Sequence, residues 1–177
     1  MTARGLMSDE DGTSPMQIGV VSDTHDNARY VERAVDLFES RADAVVHCGD
    51  VVAPFSAAPF DADFDFYAVR GNNDGEWALS GTIDEFGTYL GEMGELTFDG
   101  VEFAVYHGTS EPIVDALCAC GSYDYVLRGH THERVREERG GTVHLNPGGV
   151  PIPGQEAEPA AMLVDTESGE VTTESLG

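Results

Sequence analysis

The chain contains no lysine, and its nine basic residues are all arginines, against 33 acidic residues. The formal net charge is −24 over 177 residues. Such a surface repels the phosphates of nucleic acids and of anionic membranes, so we expect neither as a partner. Because the acidic residues are spread through a chain that is 41% hydrophobic, they indicate a folded protein with an acidic coat. A coat of this kind predicts a halophilic protein, since salt screens its self-repulsion.

Cysteine is scarce, and Cys48, Cys118 and Cys120 do not have the spacing of a zinc site. Their odd number predicts reduced, structural thiols and a cytoplasmic location. No apolar run approaches the roughly 18 residues of a membrane span, and the N-terminus lacks the layout of a secretory signal.

The first 15 residues are polar and aperiodic, which predicts a flexible N-terminal extension. A single domain is then expected over residues 16–177, a length that is sufficient for one sound core. Translation from Met1, Met7 or Met16 is left open.

From residue 16 onward, short apolar runs alternate with helical segments. Residues 27–40 carry apolar side chains at helical spacing, and Asp26 or Asn27 can cap the start of this helix. The alternation predicts a largely parallel sheet with ligands at its carboxyl edge. The stretch from residue 134 is expected to form a mostly antiparallel second sheet. The predicted strands cover residues 16–22, 44–47, 64–69, 96–98, 101–106, 123–127, 134–138, 142–145, 160–165 and 170–174, and further helical segments cover 54–60 and 113–119.

Five short polar clusters each follow an apolar run. Taken singly, each is compatible with a structural role, as a helix cap, a turn or a packed histidine pair. Carboxylates, imidazoles and an amide gathered at strand ends are, however, what a pair of hard-to-borderline divalent metals needs. The recurrence at successive strand ends therefore predicts a two-metal site. The clusters are Asp23-Thr24-His25, Gly49-Asp50, Gly71-Asn72-Asn73-Asp74, His107-Gly108 and Gly129-His130-Thr131-His132.

The order and residue types of these clusters resemble the motifs of the calcineurin-like metallophosphoesterase superfamily, particularly those of its small archaeal and bacterial single-domain phosphodiesterases. The resemblance spans residues 16–149 and implies an α/β fold, in which two mixed β-sheets pack as a sandwich flanked by helices in four layers, α/β/β/α. It also implies two sets of metal ligands with Asp50 as the bridge between them. The first set is Asp23, His25 and His132, and the second is Asn72, His107 and His130.

The resemblance implies a metal-dependent phosphodiesterase in which a metal-bridged hydroxide attacks phosphorus in line with the leaving group of a small diester. The mixture of nitrogen and oxygen donors favours Mn²⁺, with Fe, Zn, Co or Ni as alternatives. Two other functions remain open. One is a non-catalytic scaffold, as in retromer-subunit relatives that have altered ligands, and the other is a phosphomonoesterase. A homo-oligomer formed through edge strands is also possible.

Two positions depart from the pattern of the superfamily. Many members have histidine where this chain has Asn73, and an amide cannot serve as the titrating acid for a leaving alcohol. Thr109 stands where the motif often has a second histidine. Asp50, Asn73 and Asp74 are the candidate catalytic residues, Asp74 by orienting its loop, with plain turn capping as the alternative role for Asp74. Asn146-Pro147-Gly148-Gly149 resembles a structural loop of the superfamily.

The charge pattern predicts that stability depends on salt. We expect the thermal unfolding midpoint to rise steeply as KCl increases from about 0.1 M to 1 M, because the Debye length contracts from about 10 Å to 3 Å. Circular dichroism would measure the midpoint. An uncharged osmolyte at matched osmolality is the control, because it is excluded from the protein surface as salt is but does not screen charges. Full folding and activity without added salt would contradict the prediction.

Overall fold

Eleven strands form in the part of the chain that the computed structural model describes, residues 15–155 and 158–177, and most of them are short runs of β-branched and other apolar residues. The predicted extension, apart from Pro15, lies outside the described residues, as do Met1 and Met7. In chain order the elements are β1 (Gln17–Val21), α1 (Ala28–Arg41), β2 (Ala44–His47), α2 (Pro54–Ala57) with a 3₁₀ turn at Ala58–Phe60, β3 (Asp65–Val69), α3 (Leu79–Ile83), β4 (Thr88–Gly91), β5 (Met93–Phe98), β6 (Val101–Tyr106), α4 (Glu111–Ala119), β7 (Tyr125–Leu127), β8 (Val135–Arg139), β9 (Thr142–Asn146), β10 (Ala160–Asp165) and β11 (Val171–Ser175).

The strands form two mixed sheets. The first has the order β11-β10-β1-β2-β3-β4, in which β1 to β4 run parallel and β10 and β11 are antiparallel to their neighbours. The second has the order β5-β6-β7-β9-β8, with a parallel centre and an antiparallel strand at each edge. Two mixed sheets with flanking helices confirm the predicted fold class.

Alternation along β6 shows how the layers are built. Phe103 and Val105 face the apolar layer between the two sheets, whereas Ala104 and Tyr106 face α4. A third apolar layer lies between the first sheet and the helices α1 to α3. Three apolar layers separate four layers of secondary structure, as the α/β/β/α expectation requires.

Helix α1 begins where the sequence predicts. The side chain of Asn27 caps it, because its Oδ1 accepts a hydrogen bond of 3.1 Å from the backbone N–H of Tyr30. The helix packs closely on β1 because Gly19 has no side chain. A Cβ at this position would lie 2.6 Å from the ring of Phe38, so the glycine allows the aromatic side chain to contact the strand.

The prediction that residues 134–174 form a separate, mostly antiparallel sheet is wrong. Strands β8 and β9 belong to the second sheet, where β9 runs parallel to β7, and β10 and β11 join the first sheet beside β1. Local pattern identifies a strand but not its partner, and the apolar, buried run of residues 160–164 in β10 suits an interior position. The sequence analysis also missed α3 and β4 within residues 79–91.

All three cysteines are free thiols, with Cys48 and Cys118 buried and Cys120 exposed. Within the described residues, no helix has both the length and the apolar character that a membrane crossing requires.

His47 ends β2 and is fully buried. Its Nδ1 accepts a hydrogen bond of 3.2 Å from the backbone N–H of Gly49, so its Nε2 carries the proton and donates to Thr24 Oγ1 at 3.1 Å. Burial lowers the pKa of His47 to about 3. The ring therefore stays neutral in the folded protein at pH values where the unfolded chain would protonate it.

This shift predicts a pH dependence of stability. Above pH 6.5 both states are neutral at His47, and below it only the unfolded chain binds the proton. The unfolding free energy should therefore fall by about 1.4 kcal/mol per pH unit as pH drops from about 6.5 towards 4.5. Urea denaturation of chelator-treated wild type and His47→Asn checks this, because the variant should lack that part of the slope. Equal slopes in the two proteins would contradict the prediction.

Candidate metal centre

The five polar clusters meet at one edge of the sandwich because each follows a strand whose carboxyl end points there. The clusters follow β1, β2 and β3 in the first sheet and β6 and β7 in the second. These strands run parallel within their own sheets, which brings their ends to a common edge. The structure thus brings together side chains that are up to 109 positions apart in the sequence.

Asp23, His25 and His132 form one group of side chains. One ligand atom from each lies within 4.8 Å of the others. Asp23 Oδ1 lies 3.4 Å from His132 Nε2 and 3.7 Å from His25 Nε2, and the two imidazole nitrogens are 3.3 Å apart. Asp23 Oδ1 is buried and has no hydrogen-bond partner among the described residues. A buried carboxylate oxygen without a partner is costly and fits a site for a cation.

Asn72, His107 and His130 form a second group beside the first. Asn72 Oδ1 lies 3.0 Å from His107 Nε2 and 2.9 Å from His130 Nδ1. Asp50 lies between the two groups, since its Oδ2 is 3.4 Å from His107 Nε2 and also 3.4 Å from His25 Nε2. The carboxylate that the sequence analysis assigned as a bridge therefore occupies the central position.

Two backbone carbonyls determine which nitrogen of each buried imidazole is free. The Nδ1 of His107 donates to Cys48 O at 2.7 Å, and the Nδ1 of His132 donates to Val150 O at 2.6 Å. In the neutral ring, Nε2 then carries a lone pair that points into the centre. For His107 that lone pair faces the oxygens of Asn72 and Asp50. Acceptors that face acceptors at this distance require a proton or a metal ion between them.

The backbone at the centre adopts an uncommon conformation. Five of the seven predicted ligands, none of them glycine, have φ between 43° and 69°. Single residues enter this left-handed region at a cost, and such residues cluster at functional sites. The surrounding hydrogen bonds must therefore hold these loops in place. The five are Asp23, His25, Asp50, His130 and His132.

Residues 16–169 match the family model of the calcineurin-like phosphoesterase superfamily domain. The chain belongs to this superfamily. The match covers most of the chain and includes both groups of side chains.

Relatives within the superfamily include two curated proteins. A phosphodiesterase of Methanocaldococcus jannaschii is 34% identical over 141 residues, which cover 75% of this chain and 83% of that protein. Phosphodiesterase YfcE of Escherichia coli is 29% identical over 157 residues, which cover 78% of this chain and 81% of that protein.

Solved structures of superfamily proteins share the fold. That of an archaeal phosphodiesterase has a TM-score of 0.83 and 32% identity, and the alignment covers 90% of this chain and 99% of that one. Vps29 of Entamoeba histolytica, solved with zinc, has a TM-score of 0.65 at 18% identity, with 92% of this chain and 100% of that one covered. The Vps29 likeness concerns the fold alone.

The residues present fit the divalent metals that the superfamily uses. Imidazole nitrogens, carboxylate oxygens and an amide oxygen are all ligands for transition metals. The electrostatics agree with this. Burial acts to raise the pKa of Asp23, but the neighbouring imidazole of His25 and the hydrogen bond from Ser22 outweigh it and leave that pKa below its ordinary value. The pKa of Asp50 is lowered too, since the neighbouring imidazole of His107 and the two hydrogen bonds that Asp50 accepts from Asn73 outweigh burial. Both carboxylates are therefore ionised and available to a cation.

Asn73 contacts Asp50 twice. Its backbone N–H donates to Asp50 Oδ1 and its side-chain Nδ2 donates to Asp50 Oδ2, each at 2.8 Å. The side chain is exposed at the edge of the centre. Asn73 therefore orients the central carboxylate, a contact that sequence analysis did not foresee.

Asp74 lies behind the centre and does not face it. Its carboxylate is 5% exposed and accepts hydrogen bonds from the backbone N–H groups of Val52, Gly71 and Asp50, at 2.7, 2.7 and 3.0 Å. These bonds tie the loop after β2 to the loop after β3. Of the two roles considered for Asp74, its geometry supports loop orientation.

Sequence analysis did not identify two other supporting side chains. Ser22 donates to Asp23 Oδ2 at 2.6 Å. Asp26 accepts from the backbone N–H of Ala53 at 3.0 Å and from Ser56 Oγ at 2.6 Å, which links the loop after β1 to the start of α2. The only sequence feature that could have identified Ser22 and Asp26 is their position beside the first cluster. The sequence analysis considered Asp26 only as a possible cap of α1.

Asn146 supports the loop after β7. Its fully buried amide donates to Gly129 O and Thr131 Oγ1, each at 3.0 Å, and its Oδ1 accepts from Gly148 N. The structure therefore places the Asn-Pro-Gly-Gly loop in the supporting role that the sequence predicts.

The three hydrogen bonds that Asp74 accepts from the loops after β2 and β3, here called the Asp74 clamp, predict that this side chain contributes to the stability of the fold. Asp74→Asn would turn one acceptor oxygen into an NH₂ group that faces backbone N–H donors. We expect the unfolding free energy to fall by about 1–3 kcal/mol, measured by urea denaturation with chelator present. Asp63→Asn makes the same charge change at an exposed aspartate and should have little effect. Equal effects in the two variants would argue against the clamp.

Proposed function

We propose that this chain is a metal-dependent phosphodiesterase that hydrolyses small phosphate diesters at a dinuclear centre. The observation that carries the proposal is the central position of Asp50, whose Oδ2 is 3.4 Å from a histidine of each ligand group. The phosphodiesterase relatives, at 34% and 29% identity, support the same activity.

The two ligand groups would hold one divalent ion each. Asp23, His25 and His132 would hold the first ion, and Asn72, His107 and His130 the second, with Asp50 shared between them. Two divalent ions at such a site acidify a water molecule and neutralise phosphoryl oxygens. The mixture of nitrogen and oxygen donors makes Mn²⁺ the first choice, with Fe, Zn, Co or Ni as alternatives.

The charge of the ligand set suits an anionic substrate. Only Asp23 and Asp50 carry negative charge, because Asn72 is a neutral amide and ligating imidazoles are neutral. Two carboxylates offset half of the four positive charges that two divalent ions carry. The centre would therefore attract a phosphodiester although the protein as a whole carries −24.

The lack of a titrating acid near the leaving group favours diesters. Asn73 occupies the position where many superfamily members have histidine, and its Nδ2 is engaged with Asp50. An amide can donate a hydrogen bond but cannot transfer a proton, so the leaving alcohol must depart without general acid catalysis from this residue. Arg70 cannot compensate readily, because it is exposed and paired with Glu92 at 2.8 Å.

A high-salt cytoplasm as the working environment belongs to the same proposal, and it rests on the acidic, lysine-free composition. Neither nucleic acid nor membrane is proposed as a partner, since the charge opposes both. Homo-oligomer formation stays a prediction.

Activity measurements with two ligand variants test the proposal. We expect the Mn²⁺-loaded wild type in molar KCl to hydrolyse an aryl phosphodiester, and Asp50→Asn and His132→Ala to lose turnover by at least about 100-fold. The first variant replaces the shared carboxylate by a neutral amide with a single oxygen, and the second removes an imidazole ligand. Asp63→Asn is the control for loss of one carboxylate, and circular dichroism verifies folding.

Substrate choice and metal content separate the alternatives. A panel of cyclic nucleotides, dinucleotides, phospholipid-derived diesters and monoesters should show a preference for a diester. Preference for monoesters would contradict the diester assignment. Unchanged turnover in both ligand variants would refute the proposed centre, and fewer than two bound ions would favour the scaffold interpretation.

A further inference from the structure

Arg128 is a buried arginine beside the metal centre. It follows β7 directly and its side chain is 4% exposed, although arginines are almost never buried without partners. The other arginine next to a ligand cluster, Arg70, has a half-exposed side chain and forms a surface ion pair. The burial of Arg128 therefore needs an explanation of its own.

The guanidinium of Arg128 binds the two loops that carry ligands from the second sheet. Its Nη2 donates to Gly108 O at 2.9 Å, and its Nε donates to Gly129 O at 3.3 Å. Gly108 follows His107, and Gly129 precedes His130. The planar guanidinium of arginine carries donors on three nitrogens in a fixed fork that reaches two carbonyls at once, whereas lysine carries its three donors on one nitrogen.

The backbone at Gly108 leaves room for this guanidinium. A Cβ on Gly108 would lie 2.6 Å from Arg128 Nε and 2.9 Å from Nη2, and the residue has φ of +101°, which side chains rarely adopt. The glycine after His107 thus allows the contact with Arg128.

Glu111 balances the charge of Arg128. Its Oε2 accepts from Arg128 Nη1 at 2.6 Å, and the glutamate lies in the first turn of α4 with a side chain that is 54% exposed. A buried guanidinium without a counter-charge would repel a divalent ion bound by neighbouring residues. With Glu111 in place, Arg128 can organise the loops at little electrostatic cost to the centre.

We propose that Arg128, neutralised by Glu111, is a positioning residue for the second metal ion. It holds His107 and His130 at the separation that allows both to share an ion with Asn72. The first ion depends on it less, because Asp23 and His25 lie on the loop after β1, and the ring of His132, although on the loop after β7, is held separately by Val150 O. This role rests on the proposed two-metal function.

Metal titration tests the role without relying on activity. Isothermal titration of chelator-treated wild type with Mn²⁺ in molar KCl should show two ions. Arg128→Met removes every donor but keeps an apolar stem, and we expect its second dissociation constant to rise by about 10- to 100-fold with the first little changed. Arg41→Met is the matched control, because Arg41 pairs with Glu174 away from the centre.

Two further variants guard against a simple folding defect. Glu111→Gln changes an exposed residue and should fold, yet it should weaken the second ion because Arg128 loses its counter-charge. Arg128→Lys restores the charge without the fork, and its second affinity should lie between those of Arg128→Met and wild type. Electron paramagnetic resonance of the Mn²⁺-loaded proteins should show the coupled signal of neighbouring ions in wild type and mainly isolated ions in Arg128→Met.

The outcomes separate this role from the proposed function. One bound ion in wild type would overturn both. Two ions in wild type, with an unchanged second affinity in Arg128→Met, would overturn the role of Arg128 alone. Equal weakening of both ions would also overturn it, since that result indicates a general structural role. If Arg128→Lys bound the second ion with wild-type affinity, the claim that the arginine fork must hold both carbonyls would be overturned.

Discussion

The structure depends on one constraint: lone pairs of electrons from several loops converge at one edge of the sandwich. Asn72 Oδ1 has imidazole nitrogens at 3.0 and 2.9 Å, and His25 and His132 present their Nε2 atoms to each other at 3.3 Å. Without a proton or a metal ion between them, these lone pairs repel one another. The fold must therefore hold them together from behind, and the features of the surrounding loops follow from that requirement.

Backbone hydrogen bonds provide the support. Asp74 gathers three N–H groups from two loops, Asp26 joins the first loop to the start of α2, and Asn146 holds the loop after β7. Each of these side chains forms its hydrogen bonds with backbone or supporting groups of the loops. Because the supports satisfy the backbone of the loops, left-handed conformations at Asp23, His25 and other ligands are tolerated.

Much of this arrangement could be predicted from the sequence, and the failures have physical causes. Ligands such as Asp50 were identifiable because each follows an apolar run, and strand ends are where such groups converge in α/β folds. The partner of β10 was not predictable, since a run of apolar residues specifies burial but not the neighbour. The role of Arg128 was equally hidden, because a charge in the sequence does not show whether it will be buried.

The ligands lie far apart along the chain, and this has a consequence for how the protein is held together. An ion bound by both Asp23 and His132 would act as a non-covalent cross-link between positions that are 109 residues apart. For covalent links, closing a loop of about 100 residues restricts the unfolded chain by several kcal/mol in the chain-entropy description. A centre built for chemistry would at the same time join the first strand of one sheet to the middle of the other, so cation supply and resistance to unfolding become coupled properties.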